Sequence, residues 1–311
     1  MNDTPRALSR ATLLVMFSAC CFGSIPILIT LATSSGARLV DILAWRYLIA
    51  AVLLVVVSGG IAPVLAPGRR AWLVIIFAGG GQAAIAFVSL SALRYIPVAT
   101  LTFLFYTYPA WVAVMAAVRG TERMSGRRAL ALALSLAGIA LMVGMPGAGG
   151  LHPIGALLAL SSALMYAMYI PLIDGLGRGL PAAVTSVYAT TGAGAILVAV
   201  AFAQGGLAPR FAPIGWTAVL ILAVVCTVLA FLAFLHGLAE IGPVRTAIVS
   251  TIEPFWTALL GSVVLSQQIG PRTLAGGLLI AAAVILLQLG HRTAAAASAV
   301  YSDASSGSRG N

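Results

Sequence analysis

Two short stretches hold much of the polar chemistry in the apolar part of this chain. They are Tyr106-Thr107-Tyr108-Pro109-Ala110-Trp111 and Thr251-Ile252-Glu253-Pro254-Phe255-Trp256. Each sets Pro-x-Trp inside a long apolar run, and the two prolines stand 145 residues apart. A proline removes a backbone donor and bends a helix. It also frees the carbonyl one turn back, which can then accept from a cation or an amine. Pro109 and Pro254, with Pro26 in the first apolar run, are therefore candidate hinges; their alternative role is to shape helices for packing. Glu253 is the one acidic residue near the middle of an apolar run. A charge at mid-bilayer costs roughly 2.5–3.5 kcal/mol on insertion scales. Glu253 is thus either a carboxyl held between helices for structural reasons, or a cavity group that binds a solute ammonium or takes up a proton.

The aromatic residues Phe22, Tyr106, Tyr108, Trp111, Tyr166, Tyr169 and Trp256 also lie well inside apolar runs. Singly they read as core or lipid-facing side chains. As a set they could wall a pocket for a planar, amphipathic solute that partners the tyrosine hydroxyls. Gln82 and Ser162 are further polar candidates for such a cavity. Arg46 lies several residues into the second run. It either snorkels to the headgroups or acts as a gate or carboxylate contact, because a guanidinium binds a carboxylate through two parallel hydrogen bonds.

The elements that position these residues follow from composition. Of 311 residues 61% are apolar and only 8% charged, with mean hydropathy +1.08. A soluble chain carries roughly a quarter of its residues as charges. The chain is therefore an all-α integral membrane protein; strands of a membrane barrel would alternate polar and apolar residues, and these runs do not. Breaks at Gly, Pro and Arg divide it into ten candidate spans near 10–32, 39–58, 71–92, 97–118, 128–145, 152–173, 182–204, 213–236, 243–265 and 271–290. The three cysteines lie in apolar runs and read as packing residues, not disulfide or metal partners. Residues 1–9 form a short N-terminal segment, and 292–311 are small and polar, the composition of a disordered tail.

All 17 basic residues are arginine. They are scattered through short loops, never more than two together, which argues against nucleic acid and for orientation in a bilayer. With ten spans, twelve arginines fall on the side of the N-terminus and four opposite, with Arg46 inside a span. That asymmetry predicts cytoplasmic N- and C-termini.

The chain is also internally repeated. At an offset of 145, Leu93 falls on Leu238, Ile96 on Ile241, Pro109 on Pro254 and Trp111 on Trp256; at 144, Phe22-Gly23 falls on Tyr166-Ala167. The halves are 10–145 and 146–291, five spans each. Five is odd, so the second half enters the membrane from the opposite side, and the fold class is two inverted five-helix repeats. Secondary transporters use this arrangement, with a site at the midplane between the halves.

The chain resembles the drug/metabolite transporter superfamily, in its ten-helix branch of two EamA-type repeats. The resemblance covers roughly residues 10–290. It rests on Cys21-Phe22-Gly23-Ser24, where the family usually has Trp-Gly-Ser, on Trp45-Arg46-Tyr47, on Ala92-Leu93-Arg94-Tyr95-Ile96-Pro97, and on Glu253-Pro254. It implies export of small metabolites across the bacterial inner membrane by alternating access. The aromatic composition is similar to that of exporters of aromatic and neutral amino acids. The substrate cavity implied comprises Phe22, Gln82, Tyr106, Tyr108, Trp111, Ser162, Tyr166, Tyr169, Glu253 and Trp256. Expected partners are a small-molecule substrate, membrane lipid and protons as coupling ion, with no cofactor and no metal. The competing readings are a channel or facilitator and an intramembrane enzyme. The enzyme would need paired carboxylates, a nucleophile with its base, or clustered metal ligands. No Gly-Lys-Ser/Thr phosphate loop exists, so this chain alone is not ATP-driven.

Overall fold

A computed structural model describes residues 5–57, 68–118, 126–143, 151–177, 180, 182–207 and 211–286. Arg6 and the predicted tail, 292–311, are outside the residues whose side chains it describes. The described chain is helical throughout. In order the helices are α1 (Pro5–Gly23), α2 (Ile25–Ser34), α3 (Leu39–Val57), α4 (Arg69–Leu73), α5 (Gly79–Ser91), α6 (Val98–Phe105), α7 (Tyr108–Val118), α8 (Gly126–Val143), α9 (Pro153–Gly177), α10 (Ala182–Ala203), α11 (Pro213–Ala223), α12 (Ala230–Ser250) and α13 (Ile252–Leu265). A last helix, α14, runs over Pro271–Leu286. π-helical segments join α4 to α5 (Val74–Ala78) and α11 to α12 (Val224–Leu229).

Six apolar helical stretches are long enough to cross a bilayer: Arg10–Ser34, Leu39–Val57, Ala71–Arg94, Pro153–Ile173, Val184–Ala203 and Pro213–Phe234. Four others are shorter: Val98–Val112, Ala129–Leu141, Ile252–Leu265 and Pro271–Leu286. These fall in the fourth, fifth, ninth and tenth predicted spans. Large apolar side chains such as Val56, Leu157 and Val263 stand exposed on the outside, as a protein solvated by lipid requires.

Three predicted spans are broken near their prolines. The first breaks at Ser24, the fourth at Tyr106-Thr107 and the ninth at Thr251. Pro26, Pro109 and Pro254 therefore lie in the first turn of α2, α7 and α13, where the missing N–H would be unpaired in any case. They start new helices instead of kinking continuous ones. The predicted break between the eighth and ninth spans is different: α12 runs through Gly242-Pro243 without interruption. It packs along α1, and a proline's lost hydrogen bond is tolerable in a helix held by a neighbour. In the first half, Ala92–Arg94 instead tightens to a 3-10 turn and Pro97 is extended.

The main packing runs between the two halves: α1 on α12 and α13, α3 on α10 and α11, α5 on α9 and α10, α6 on α9 and α13, and α7 on α9. In terms of predicted spans the pairs are 1–8, 1–9, 2–7, 2–8, 3–6, 3–7, 4–6 and 4–9. Exchanging each first-half span with its second-half counterpart leaves that set unchanged. Glycines allow the closest approaches. A methyl at Gly79 would lie 2.6 Å from Cα of Gly192, and one at Gly277 2.6 Å from the Phe103 ring. Small residues let helices meet this way where no water drives them together.

Candidate functional site

A cavity of about 500 Å³ opens between the halves. Phe22 and Pro26 reach it from the first span, Arg46 and Tyr47 from α3, and Gln82 from α5. Tyr106 lines it at the α6–α7 break, with Tyr108 from α7, Tyr166 and Tyr169 from α9, Thr190 from α10, Thr227 from the second π-helical segment, and Glu253 from α13. Trp111, Ser162 and Trp256 are not among its lining residues. Ser162 is buried and its hydroxyl donates to the Ala159 carbonyl. Trp256 turns toward α1, where its indole Nε1 donates to Ser24 Oγ at 3.1 Å. The buried Trp111 Nε1 has no partner among the described residues.

The centre of the site is a junction between the two Pro-x-Trp segments. Tyr106 lies 2.7 Å from Glu253 Oε2 and 2.9 Å from the Ser250 carbonyl, measured from its hydroxyl oxygen. Ser250 is the residue one turn before Pro254, so the carbonyl that Pro254 frees is met by a side chain of the opposite half. The Tyr106 hydroxyl has one hydrogen and faces two acceptors. It serves the carboxylate when Glu253 is ionised. When Glu253 is protonated, the carboxyl donates to Tyr106 and Tyr106 donates to Ser250. Both states keep a hydrogen bond across the halves.

Beside this junction the rings form a continuous wall. Tyr108 meets Tyr166 edge-on at 4.9 Å, Phe105 lies 5.2 Å from Tyr166, and Tyr169 stacks on Tyr166 at 6.3 Å. Such offset and edge-to-face contacts are the favoured arrangements of aromatic pairs. A second hollow, of about 500 Å³ and lined by Gly81, Ile85, Met165, Met168, Tyr169, Pro171 and Leu172, shares Ile85 and Tyr169 with the first.

Arg46 does not snorkel. It is only 7% exposed, and its Nε donates to Thr227 Oγ1 at 3.0 Å. Thr227 in turn donates to the Leu222 carbonyl, five residues back, at 2.7 Å. That spacing belongs to π-helical winding, which recurs at functional sites. Sequence reasoning missed Thr227, although it stands 145 residues after Gln82 and so was marked by the repeat. It also missed Ser24 and Asp41. The latter is buried and pairs with Arg38 at 2.6 Å, signalled by an acid three residues after an arginine at a helix start.

Among the described residues no group of three or more His, Cys, Asp or Glu side chains could hold a metal ion.

Comparison with known proteins agrees with this architecture. The EamA-like transporter family matches twice, over residues 9–144 and 153–289. The chain belongs to that family of membrane transporters. It is 26% identical, over 275 residues, to a protein of Bacillus subtilis (strain 168) named "Uncharacterized transporter YcbK"; the match covers 85% of this chain and 88% of that one. A crystal structure of a protein 20% identical superposes with a TM-score of 0.63, covering 92% of this chain and 98% of that chain. At that identity the likeness concerns the fold alone.

Proposed function

We propose that the chain exports small metabolites, above all aromatic or neutral amino acids, by alternating access between two inverted five-span halves. The observation that carries this reading is one cavity between the halves that holds both an arginine and a glutamate beside a tyrosine-rich wall. A zwitterion with an aromatic or apolar side chain has use for all three. The two family matches, one per half, support the division into repeats at 10–145 and 146–291. The interhelical pairings that survive exchange of the halves support a pseudo-twofold axis in the membrane plane.

In this reading Glu253 contacts the substrate ammonium or carries the coupling proton, and Tyr106 keeps the two halves in register in either state. The breaks at Ser24, Tyr106-Thr107 and Thr251 are where the helices bend as the cavity changes sides. The location is the bacterial inner membrane, with cytoplasmic termini. A channel or facilitator is the second reading, and an intramembrane enzyme a more distant one.

Counterflow decides among them. Purified protein in liposomes preloaded with unlabelled amino acid should accumulate labelled amino acid transiently, with aromatic and neutral members of a panel outcompeting charged ones. A channel equilibrates label without that overshoot. Absence of exchange for every amino acid would refute the substrate reading while leaving the family assignment intact.

A further inference from the structure

We propose that Arg46, seated by Thr227, is the carboxylate anchor of the transport site, and that it restricts substrates to those with a free carboxylate. The inference deepens the transport reading above and rests on it. Among the described residues, Arg46 is the one cationic side chain lining the cavity. It sits roughly 10 Å along α3 from Leu39, at about 1.5 Å per residue. The ion pair found among the described residues is Arg38 with Asp41, so Arg46 lies beyond ion-pair reach of Glu253 although both line one cavity.

A buried guanidinium must have its donors met or it is strongly disfavoured. Thr227 meets Nε, and the guanidinium carbon lies 5.3 Å from the centroid of the Tyr47 ring. Because the Thr227 hydroxyl hydrogen is committed to Leu222, its oxygen is oriented as a fixed acceptor, which holds the guanidinium in one pose. With Nε engaged by Thr227, the bidentate edge that remains for a carboxylate is the Nη1–Nη2 fork. That fork accepts the two oxygens of a carboxylate through parallel charge-assisted hydrogen bonds.

The seat exists in one half only. At the offset of 144 that lays Phe22 on Tyr166, Arg46 falls on Thr190, which lines the same cavity without charge. A substrate therefore has one place for its carboxylate, and a single orientation follows. Amides, esters and decarboxylated amines of the same side chain would leave the fork unmet and are excluded.

The test compares L-phenylalanine with L-phenylalaninamide as competitors of counterflow, within each variant. In the wild type the acid should compete roughly 10- to 100-fold better, the range expected for a charge-assisted hydrogen bond to a buried group. Arg46→Gln should shrink that ratio to about threefold or less, and Arg46→Lys should restore part of it. The ratio is internal to each variant, so a loss of folded protein lowers both values without changing it. Thr227→Val, which leaves the charge in place, should reduce the ratio less than Arg46→Gln does. A wild-type ratio near one, or one unchanged in Arg46→Gln, overturns the proposal while counterflow itself stands. If no amino acid exchanges, the substrate reading has failed and Arg46 is tested separately. Protection of the purified protein from heat by benzoate but not benzamide, lost in Arg46→Gln, then supports the anchor. Equal protection by the two, or none, overturns it.

Discussion

The two Pro-x-Trp segments are related by sequence and differ in what surrounds them. In the second, Trp256 donates to Ser24, and Thr257 Oγ1 lies 2.7 Å from the Gly23 carbonyl, which it serves as donor. Both contacts bind α13 to the break in the first span. In the first, Tyr108 joins the rings of Phe105 and Tyr166, and the Trp111 indole is buried without a partner among the described residues. One segment supplies the carboxylate and a hydrogen-bonded clamp; the other supplies the hydroxyl that meets the carboxylate, and the aromatic wall. A duplicated element can thus keep its backbone device, a helix restarted at proline, while its side chains divide the work.

Breaking that division at its acidic member should have the largest effect. Glu253→Gln keeps the shape and a hydrogen-bonding group toward Tyr106 but cannot exchange a proton. Transport measured in liposomes with and without an imposed pH gradient should lose its dependence on the gradient. Dependence equal to that of the wild type would remove Glu253 from coupling.

The clamp is the next target. Gly23 aligns with Ala167, so Gly23→Ala gives the second contact the residue found in the first. The added methyl would stand 2.8 Å from the Glu253 carbonyl and 2.9 Å from Thr257 Oγ1. Forcing an extra carbon into a packed contact costs about 1–3 kcal/mol, to be read as a lower unfolding temperature in detergent. No change would mean that the clamp is loose and the two halves are alike in packing.

The smallest effect compares the tryptophans directly. Trp256→Phe removes the donor to Ser24 and should destabilise by about 0.5–1.5 kcal/mol beyond the change in ring size. Trp111→Phe removes a donor with no partner among the described residues, and should be nearly neutral or slightly stabilising on the same measure. Equal losses at the two positions would erase the distinction.

Much of this was legible in the residues themselves. The apolar runs required helices in a bilayer, because a backbone in hydrocarbon must satisfy its own hydrogen bonds. The offset of 145 paired the prolines and tryptophans, and the isolated acid pointed to Glu253. The direction of each side chain was not legible. Trp111 and Trp256 share a motif with cavity residues, yet one side of a helix faces the cavity and the adjacent side faces a neighbour. Which is which depends on the rotation of α7 and α13, and periodicity gives no phase for a helix apolar on all sides. Pro26, Pro109 and Pro254 were legible as candidate hinges, but not that each would stand in the first turn of a new helix. Residues 237–242, the predicted gap between the eighth and ninth spans, are carried inside α12, which packs on α1.

What the sequence determined by itself is the solvent of this protein, the duplication, and the chemical types available for a site. Those follow from transfer energies and from repeated letters, which are properties of the chain alone. Tertiary structure decided the pairings: Tyr106 with Glu253 across 147 residues, Arg46 with Thr227 across 181, and Trp256 with Ser24 across 232. Each joins groups whose meeting depends on how the halves pack, and no local propensity encodes that.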